Sequence, residues 1–499
     1  MRPERQSGPA VGIAKFLRSR YKVWVQTAPV GAPAIRMYSV HMNTNISRRE
    51  FIKRSSVASG TAVLATGAAG SLLAAAGGDA STPAALGGAK AHAKSWPSWP
   101  AWDPANDSEV TKVLHSTTWS RSKLVKEFEE KWAALLGAKY CLAVVNGTNA
   151  LSASFMVMDL KPGDEVICAP YTFSASLLGV LYKSAMPVFA DIDPLTYQLD
   201  PAKVEAKITP RTKAILPVHI CGYATDMERI MQIAKKHNLK VVEDVCQGHM
   251  TAINGKNLGT FGTTGCFSFQ TSKVMPIGEG GAIITDDAEL YDKLYSYHNY
   301  GFKTNVTPGS YDNIAAFILG NKIRMAEYQA AIGLCQLGKL EEQTRVRNEN
   351  GAYLTPKLAA IPGITPVKPY PNVTRLSYYM YPFIYNEAEF NGLPRAAFVK
   401  ALAAEGVPAS PGYPKYPIYT QEFIHEMFKT EVYKKFYTSQ ELDWEAYKAR
   451  NACPGLMKTF DTSVWLSTTG MFLGSKADMD DVVRAVEKIH KNSAKLKAA

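Results

Sequence analysis

Short apolar runs and amphipathic segments alternate along the chain from about residue 122 onward. Between Lys123 and Leu136, apolar side chains recur at helical spacing, which predicts a helix. Short apolar runs bounded by polar or turn-forming residues predict buried strands. These strands are predicted at 140–145, 165–169, 187–190, 214–218, 239–243 and 281–285. Strands that alternate with helices favour an α/β fold with a mostly parallel central sheet and helices on both of its faces.

Further helices and a change of pattern are visible beyond these strands. The segment from Thr225 to Glu228 is typical of a capping box and predicts a helix that runs to about Asn238. Residues 320–340 are predicted to form one long helix. After about Asn350 the chain changes to tyrosine-rich strands and further helices, which predicts a smaller C-terminal α+β domain. The elements predicted there are a strand at 378–385 and helices at 395–405 and 478–492.

The predicted organisation has four parts. Residues 77–105 are rich in Ala, Gly, Ser and Pro, which predicts a linker followed by a Trp-Pro arm that packs on the body. The four parts are an N-terminal extension with an export signal (1–76), the linker and arm (77–105), a large domain (106–345) and a small C-terminal domain (346–499).

Composition and charge narrow the functional classes. Of the 499 residues, 46% are hydrophobic and 20% are charged, which is ordinary for a soluble enzyme. Residues 1–54 hold 11 Lys or Arg against 2 Asp or Glu, which leaves only +3 of the net charge of +12 for the rest of the chain. A basic leader on a nearly neutral body is typical of targeting, so we expect no nucleic-acid partner.

The leader contains a twin-arginine motif, Ser-Arg-Arg-Glu-Phe-Ile-Lys at 47–53, followed by a mildly apolar stretch at 57–76. Small residues at 72–77 suit a cleavage site. We therefore expect a bacterial protein that folds in the cytoplasm and is exported by the twin-arginine (Tat) translocase, to the periplasm or to a membrane tether. A transmembrane anchor is the alternative, but the Ala, Gly, Ser and Thr of this stretch favour insertion only weakly. Residues 1–41 carry no signal of their own, which makes Met42 the expected start.

The seven cysteines are odd in number and have no closely paired spacing. This pattern argues against a disulfide framework and against a zinc site, and no metal is expected. Several cysteines lie in or beside apolar runs, where a thiol acts as a small apolar side chain.

An aspartate and a lysine follow neighbouring strand-like runs. Asp244 ends the run that begins at Val241, and Lys273 follows the segment that begins at Cys266. Ligands of parallel sheets bind at the carboxyl ends of the strands, where these residues and Asn146 are expected. Pyridoxal phosphate (PLP) chemistry requires this pair, because the amine forms a Schiff base with the cofactor and the carboxylate keeps the pyridine nitrogen protonated. Either residue alone means little, since most lysines are solvated and most strand-end aspartates cap turns.

Six short segments follow one another along the chain. They are Asn-Gly-Thr-Asn-Ala-Leu at 146–151, Pro-Tyr-Thr-Phe at 170–173, Pro-Val-His at 217–219, Glu-Asp-Val-Cys-Gln at 243–247, Cys-Phe-Ser-Phe-Gln-Thr-Ser-Lys at 266–273 and Gly-Asn-Lys-Ile-Arg-Met at 320–325. In this order they resemble the segments of the DegT-type sugar aminotransferases, which are PLP enzymes of fold type I. The likeness covers about residues 105–490.

The resemblance implies catalytic roles for Lys273 and Asp244 and cofactor contacts for several further residues. Phe173 corresponds to the aromatic residue that stacks on the pyridine ring, although alone it would indicate a core residue. Gln247 corresponds to the residue that hydrogen-bonds on the hydroxyl side of the cofactor.

The same resemblance implies a phosphate site. Gly147 and Thr148 follow a strand and open a helix, whose N–H groups suit a phosphate, although alone they would indicate an ordinary helix N-terminus. Ser268 and Asn321 resemble further phosphate ligands, and Asn321 would come from a second subunit. The implied assembly is a homodimer with shared active sites.

The implied function is transfer of an amino group from an amino acid, Glu or Gln in this family, to a keto-sugar or keto-cyclitol. Relatives that perform dehydration carry His in place of Lys273, so its presence favours transamination. Gln270, with residues 464–466 and 472–474, resembles the cyclitol branch, which aminates scyllo-inosose-type ketones. Two alternatives stay open: a PLP-dependent dehydratase or lyase on the same scaffold, and a non-catalytic exported relative. The long aromatic segment 416–451 either shapes the acceptor pocket or forms a surface excursion.

Overall fold

The computed structural model describes residues 79–303, 316–413 and 416–499. The predicted twin-arginine leader and the first residues of the predicted linker lie outside the described residues. Within the described ranges, no helix is both long enough and apolar enough to cross a membrane.

A mostly parallel sheet lies at the centre of the fold. The strands of the described ranges are β1 (Tyr140–Val144), β2 (Glu165–Cys168), β3 (Met186–Phe189), β4 (Thr212–Leu216), β5 (Lys240–Asp244), β6 (Ala252–Ile253), β7 (Lys256–Asn257), β8 (Thr264–Ser268), β9 (Gly281–Thr285), β10 (Ile364–Pro366), β11 (Val373–Arg375), β12 (Met380–Tyr385), β13 (Ala409–Ser410) and β14 (Ser463–Ser467). Seven of them form one sheet in the order β1-β9-β8-β5-β4-β2-β3. Strands β3, β2, β4, β5 and β8 are parallel, and β9 is antiparallel to both of its neighbours. The predicted sheet is therefore confirmed.

Helices cover both faces of this sheet. Along β2, Val166 and Cys168 pack in one core and Ile167 packs in the other, as expected for a strand buried on both faces. The helices of the described ranges are α1 (Asp107–His115), α2 (Lys123–Leu136), α3 (Gly147–Val157), α4 (Ala175–Tyr182), α5 (Pro201–Glu205), α6 (Met227–Lys236), α7 (Ala288–His298), α8 (Glu327–Ala359), α9 (Arg395–Ala404), α10 (Glu422–Phe428), α11 (Glu431–Phe436), α12 (Ser439–Leu442), α13 (Trp444–Arg450), α14 (Pro454–Thr462), α15 (Thr468–Met471), α16 (Lys476–Lys491) and α17 (Ser493–Ala498). The predicted helix over Lys123–Leu136 is confirmed as α2.

Two predicted helices differ from those observed. The long helix predicted at 320–340 is wrong at both ends, because α8 has 33 residues and begins only at Glu327. Residues 320–326 instead approach the end of β1, where the N–H of Val145 donates to the carbonyl of Ile323 (3.0 Å). For α6, the N-cap is Asp226 rather than Thr225, since its carboxylate accepts the N–H of Arg229 (3.2 Å).

A second, antiparallel sheet contains β10, β12, β14 and β13 in that order. Helices α9 and α16 pack in this part of the chain, which is the smaller α+β region predicted from the sequence. The predicted domain boundary at 345/346 falls inside α8, so one continuous helix passes from the large region into the small one. The division into two domains stays a prediction.

The segment 416–451 covers the free edge of the large sheet at β3. The hydroxyl of Tyr447 donates to the carbonyl of Pro187, and the N–H of Phe189 donates to Asn451 Oδ1 (2.8 and 2.7 Å). An uncovered edge strand presents unpaired backbone groups to other chains, so this part of the segment protects the sheet edge.

Candidate active site

The carboxyl ends of β1, β2, β5 and β8 border one cavity of about 470 Å³. Seven of the eight predicted site residues line it: Gly147, Thr148, Phe173, Asp244, Gln247, Ser268 and Lys273. Asn321 does not line this cavity; it is exposed, and its Oδ1 accepts the N–H of Lys322 (2.7 Å). The sheet therefore gathers residues from distant segments at the edge predicted from their position after strands.

Lys273 lies on the turn between β8 and β9. Its N–H donates to the carbonyl of Gln270 (2.8 Å), whose side-chain Oε1 accepts both the N–H and the hydroxyl of Ser272 (2.8 Å each). The Nζ of Lys273 lies 4.5 Å from the centre of the Tyr379 ring, a cation–π distance. The Tyr379 hydroxyl is also 3.1 Å from Ser272 Oγ, so the turn and the small region meet at this lysine.

Asp244 is buried at the end of β5, and both of its carboxylate oxygens accept hydrogen bonds. Ser176 Oγ donates to Oδ2 (2.7 Å), and the N–H of Cys246 donates to Oδ1 (3.1 Å). Thr172 Oγ1 lies 2.6 Å from Ser176 Oγ and extends this chain of contacts to the cavity wall. Burial raises the pKa of the Cys246 thiol well above its usual value, so this thiol stays neutral beside the carboxylate.

The start of α3 offers an anion site. Its first-turn N–H groups, at Gly147 and Thr148, have no carbonyl acceptor within the helix, because no helical turn precedes them. Asn146 caps the helix by accepting the N–H of Asn149 (2.9 Å). A Cβ atom at position 147 would lie only 2.6 Å from Ser268 Cβ, so glycine is required for this close approach. A phosphate fits such a site through backbone N–H groups and the helix dipole.

Gln247 is fixed at both ends of its amide. Gln247 Oε1 accepts the N–H of Cys221 (2.7 Å), and because a backbone N–H can only donate, this contact fixes which end of the amide is the oxygen. Gln247 Nε2 then donates to the hydroxyl of Tyr413 (2.7 Å). Burial raises the pKa of Tyr413 far above its usual value, which keeps its hydroxyl neutral at the cavity wall. Cys221 has a positive φ of 61°, a strained conformation of the kind found beside ligand sites.

A second cavity of about 330 Å³ adjoins the first. Thr172, Phe173 and Tyr413 line both cavities, and the Phe173 side chain is 64% exposed between them. The remaining lining residues are Pro170, Tyr171, Ser174, Tyr416, Ile418, Gln421 and Phe460. The start of segment 416–451 therefore forms part of a cavity next to the site, while its later part covers the sheet edge.

His92, Asp478 and Asp481 form another cluster with the donor types of a metal site. His92 Nδ1 lies 2.9 Å from Asp481 Oδ2, and Lys94 Nζ lies 2.6 Å from Asp478 Oδ1. Because an ammonium already neutralises this carboxylate, the cluster is accounted for by ion pairs within the chain.

Ser176, Tyr379 and Tyr413 belong to the site but were not identified from the sequence. Ser176 lies 68 positions before Asp244, and Tyr413 lies 166 positions after Gln247. No local spacing signals such contacts. The only available hint was the segment Pro170–Phe173, which leads directly into the helix that carries Ser176.

The chain is similar to known aminotransferases over most of its length. The model of the DegT/DnrJ/EryC1/StrS aminotransferase family matches residues 101–443. The L-glutamine:2-deoxy-scyllo-inosose aminotransferase of Streptoalloteichus tenebrarius is 32% identical over 423 residues, which cover 82% of this chain and 98% of that protein. The GDP-perosamine synthase of Caulobacter vibrioides is 37% identical over 309 residues, which cover 61% of this chain and 81% of that protein. Among solved structures, 3-amino-5-hydroxybenzoic acid (AHBA) synthase superposes with a TM-score of 0.68 at 30% identity, covering 81% of this chain and 100% of that one.

Ser176→Ala should lower transamination turnover about tenfold, which corresponds to about 1.4 kcal/mol, because Asp244 loses its side-chain hydrogen bond. The amino-donor KM should change little, since Ser176 acts through the carboxylate. Steady-state kinetics measure both, and the matched control is Ser154→Ala, which removes a buried hydroxyl on α3 that donates to the carbonyl of Ala150 (3.0 Å) and lines neither cavity. Equal turnover in the two variants would show that Asp244 does not depend on Ser176.

Proposed function

The chain belongs to the DegT/DnrJ/EryC1/StrS aminotransferase family, and from that premise we propose that it moves an amino group from glutamine or glutamate to the ketone of a cyclitol or sugar. It is a PLP-dependent transaminase. The observation that carries the proposal is the cavity that brings Lys273, Asp244 and the free N–H groups of Gly147 and Thr148 together.

The described residues fit PLP. Lys273 Nζ is the amine that would hold the cofactor covalently, and Asp244 would make a charge-assisted bond to its ring nitrogen. Gly147, Thr148 and Ser268 would bind its phosphate. When bound, the cofactor supplies an electron sink that stabilises negative charge at the carbon bearing the amino group.

The chain's own residues would then orient the substrate and move the proton. Once released from the cofactor, Lys273 Nζ would take the proton from the α-carbon of the amino donor. The bond to Gln270 would hold the backbone of Lys273 in place meanwhile. Phe173 would close one face of the cavity against water. Gln247 would orient the Tyr413 hydroxyl at the border of the second cavity, where an acceptor would enter.

We propose a keto-cyclitol of the inosose type as the acceptor. Three relatives that are matched over 98% of their own length are named for scyllo-inosose ketones, which supports this class. The aromatic walls of the second cavity, at Tyr171, Tyr413 and Phe460, also suit the C–H face of a polyhydroxy ring. The likeness to GDP-perosamine synthase makes a nucleotide-linked keto-sugar the competing acceptor.

The acceptor class is tested by a two-stage reaction. Enzyme that has taken an amino group from glutamine is freed of donor and mixed separately with inososes and with nucleotide-linked keto-sugars. We expect an aminated cyclitol, detected by mass spectrometry, and no product from Lys273→Ala protein. Reaction with nucleotide-linked sugars alone would disprove the cyclitol proposal, and absence of a keto acid from any amino donor would disprove transamination.

We propose that two chains complete each other's active sites through Asn321. The residue is exposed outside its own cavity, and large apolar side chains around it are exposed as well. They are Tyr300, whose N–H donates to the carbonyl of Asn321 (2.9 Å), Phe317, Leu319 and Tyr328, which lie within seven positions of it in sequence, and Trp119, whose carbonyl accepts the N–H of Glu327. Exposed apolar groups of this kind are typical of a surface covered by another subunit, here a second copy of the chain.

Mixing two inactive variants tests the shared site. Asn321→Asp places a carboxylate beside the phosphate and should weaken PLP binding by repulsion, while Lys273→Ala should abolish turnover. In a heterodimer of the two, one site has both defects and the other has none, so about half of the wild-type dimer's activity should return. Activity is measured on purified, differentially tagged heterodimers.

The matched control mixes Lys273→Ala with Asp244→Asn, two residues that line the same cavity of one chain. Each site of that heterodimer carries one defect, so no activity should return. An Asn321→Asp heterodimer that also stays inactive would show that each site is built from one chain.

We propose that the leader directs the folded, PLP-loaded enzyme to the twin-arginine translocase. The motif at Arg48 and Arg49 and the concentration of positive charge in residues 1–54 support this route. Cell fractionation should find the wild-type enzyme in the periplasm or at the membrane, and a variant with Arg48→Lys and Arg49→Lys in the cytoplasm. Equal distribution of both proteins would disprove the route.

A further inference from the structure

We propose that Trp99 is a positioning residue for Lys273, and that the N-terminal arm, defined here as residues 79–103, is thereby part of the framework of the active site. The inference rests on the proposed role of Lys273. Its basis is one hydrogen bond: Trp99 Nε1 donates to the backbone carbonyl of Lys273 (3.0 Å), across 174 positions of sequence.

This bond fixes the second polar group of the Lys273 backbone. The N–H of Lys273 is held within its own turn by the carbonyl of Gln270, and its carbonyl is held by the arm. A long lysine side chain magnifies any rotation of its backbone into a displacement of Nζ. Displacements of about 1 Å at a reacting group can lower a rate about a hundredfold, so a clamp on the carbonyl matters for catalysis.

Trp99 is itself held from its other side. The guanidinium of Arg347, on α8, lies 4.7 Å from the centre of the Trp99 ring. Arg347 is fully buried, and its Nε and Nη2 donate to the carbonyl of Thr469 (3.2 and 2.8 Å). Burial lowers the pKa of Arg347 to about 9, so the guanidinium is still charged at neutral pH. Burial also strengthens the attraction between the guanidinium and the Trp99 ring, because cation–π contacts are stronger when desolvated. The indole is therefore aimed at Lys273 by a fixed partner.

The surface under the arm is shaped to receive it. A Cβ atom at Gly470 would lie 2.5 Å from the carbonyl oxygen of Pro97, and one at Gly406 would lie 2.1 Å from that of His92. Gly470 is required for reasons of space, and Gly406 for reasons of both space and its positive φ of 86°. These two contacts place the arm close enough to the body for Trp99 to reach the lysine turn.

The far end of the arm is anchored independently of Trp99. The buried carboxylate of Glu405 accepts the N–H groups of Ala84 and Ala91 (2.8 and 2.7 Å). Lys488 Nζ donates both to Glu405 and to the carbonyl of Ala89 (2.8 and 2.6 Å). Loss of the Trp99 bond alone should therefore leave the arm attached, which separates a positioning role from a purely structural one.

Trp99→Phe tests the proposal, because it removes the N–H donor and keeps an aromatic ring beside Arg347, and the accompanying loss of ring volume is the same in the control. Trp96→Phe is the matched control: it removes another arm-to-body bond, from Nε1 to the carbonyl of Gly406 (2.7 Å), without touching Lys273. Trp102→Phe is a second control, since Nε1 of Trp102 donates to Asp107, only five positions further along the chain.

The first readout uses cofactor-free protein. Amide hydrogen exchange of a peptide covering 270–278 should become at least about tenfold faster in Trp99→Phe and stay unchanged in both controls. Gly470→Ala changes the body rather than the arm, and its added methyl group displaces the arm at Pro97. This variant should also speed up exchange of the peptide, and it replaces Trp99→Phe as the test if Trp99→Phe does not fold. Unchanged exchange in Trp99→Phe, or in Gly470→Ala in that case, would overturn the proposal.

The second readout uses the PLP-loaded enzyme. Trp99→Phe should lower kcat about 10- to 100-fold with little change in the donor KM, and should shift the pH at which the visible absorbance of the lysine-bound cofactor changes. A kcat and pH profile equal to those of Trp96→Phe would overturn the proposal even if the turn exchanges faster. Failure of the proposed role of Lys273 differs from failure of the Trp99 proposal. If Lys273 did not hold the cofactor covalently, the wild-type protein would lack a visible absorbance that borohydride abolishes.

Discussion

A buried carboxylate, that of Glu243, holds the two central strands of the site in place. It is fully shielded from water, and it accepts the N–H groups of Gly259, Phe261 and Gly262 (2.9, 2.9 and 2.6 Å). A desolvated charge is tolerated only when such hydrogen bonds replace its hydration. The three donors belong to the loop that enters β8, so the carboxylate on β5 fixes where β8, its neighbour in the sheet, begins. Both residues that we propose as catalytic depend on this arrangement, since Asp244 follows Glu243 directly and Lys273 follows β8.

The pairing of β5 with β8 converts this anchor into the geometry of the site. Asp244 lies opposite Cys266 in a parallel register, which brings the end of β5 beside the strand that leads to Lys273. A cavity with a carboxylate, an amine and an anion-binding helix N-terminus follows from that register together with the glycine at position 147. The register cannot shift by one residue without moving Glu243 out of reach of its donors and turning buried side chains to the other face.

Much of this architecture could be predicted from local patterns, for identifiable reasons. Strands such as β2 and β9 are apolar runs flanked by polar residues, and α2 has a clear helical period. The helix predicted for residues 320–326 was wrong, because the composition of this segment suits a helix whereas its structure is set by pairing with Val145 near the end of β1. Lys273 and Asp244 were predicted to lie together because such a pair is rare in that order, and both line the same cavity. Ser176 and Trp99 were not recognised as site residues, since their contacts join segments far apart in sequence.

A lysine on a turn needs partners from elsewhere if it is to act in catalysis, as proposed for Lys273. Loops are more mobile than the strands that they connect, yet the proposed role requires this turn to return Nζ to one position after each release. Its own hydrogen bonds, which Lys273 and Ser272 donate to Gln270, fix its shape but not its orientation on the body. Tyr379 and Trp99 supply that orientation from two other parts of the chain, one beside the amine and one at the carbonyl. The backbone of Lys273 is thus held on both sides, while the side chain beyond it is not fixed by these bonds, which is the combination that the proposed proton transfer by Nζ requires.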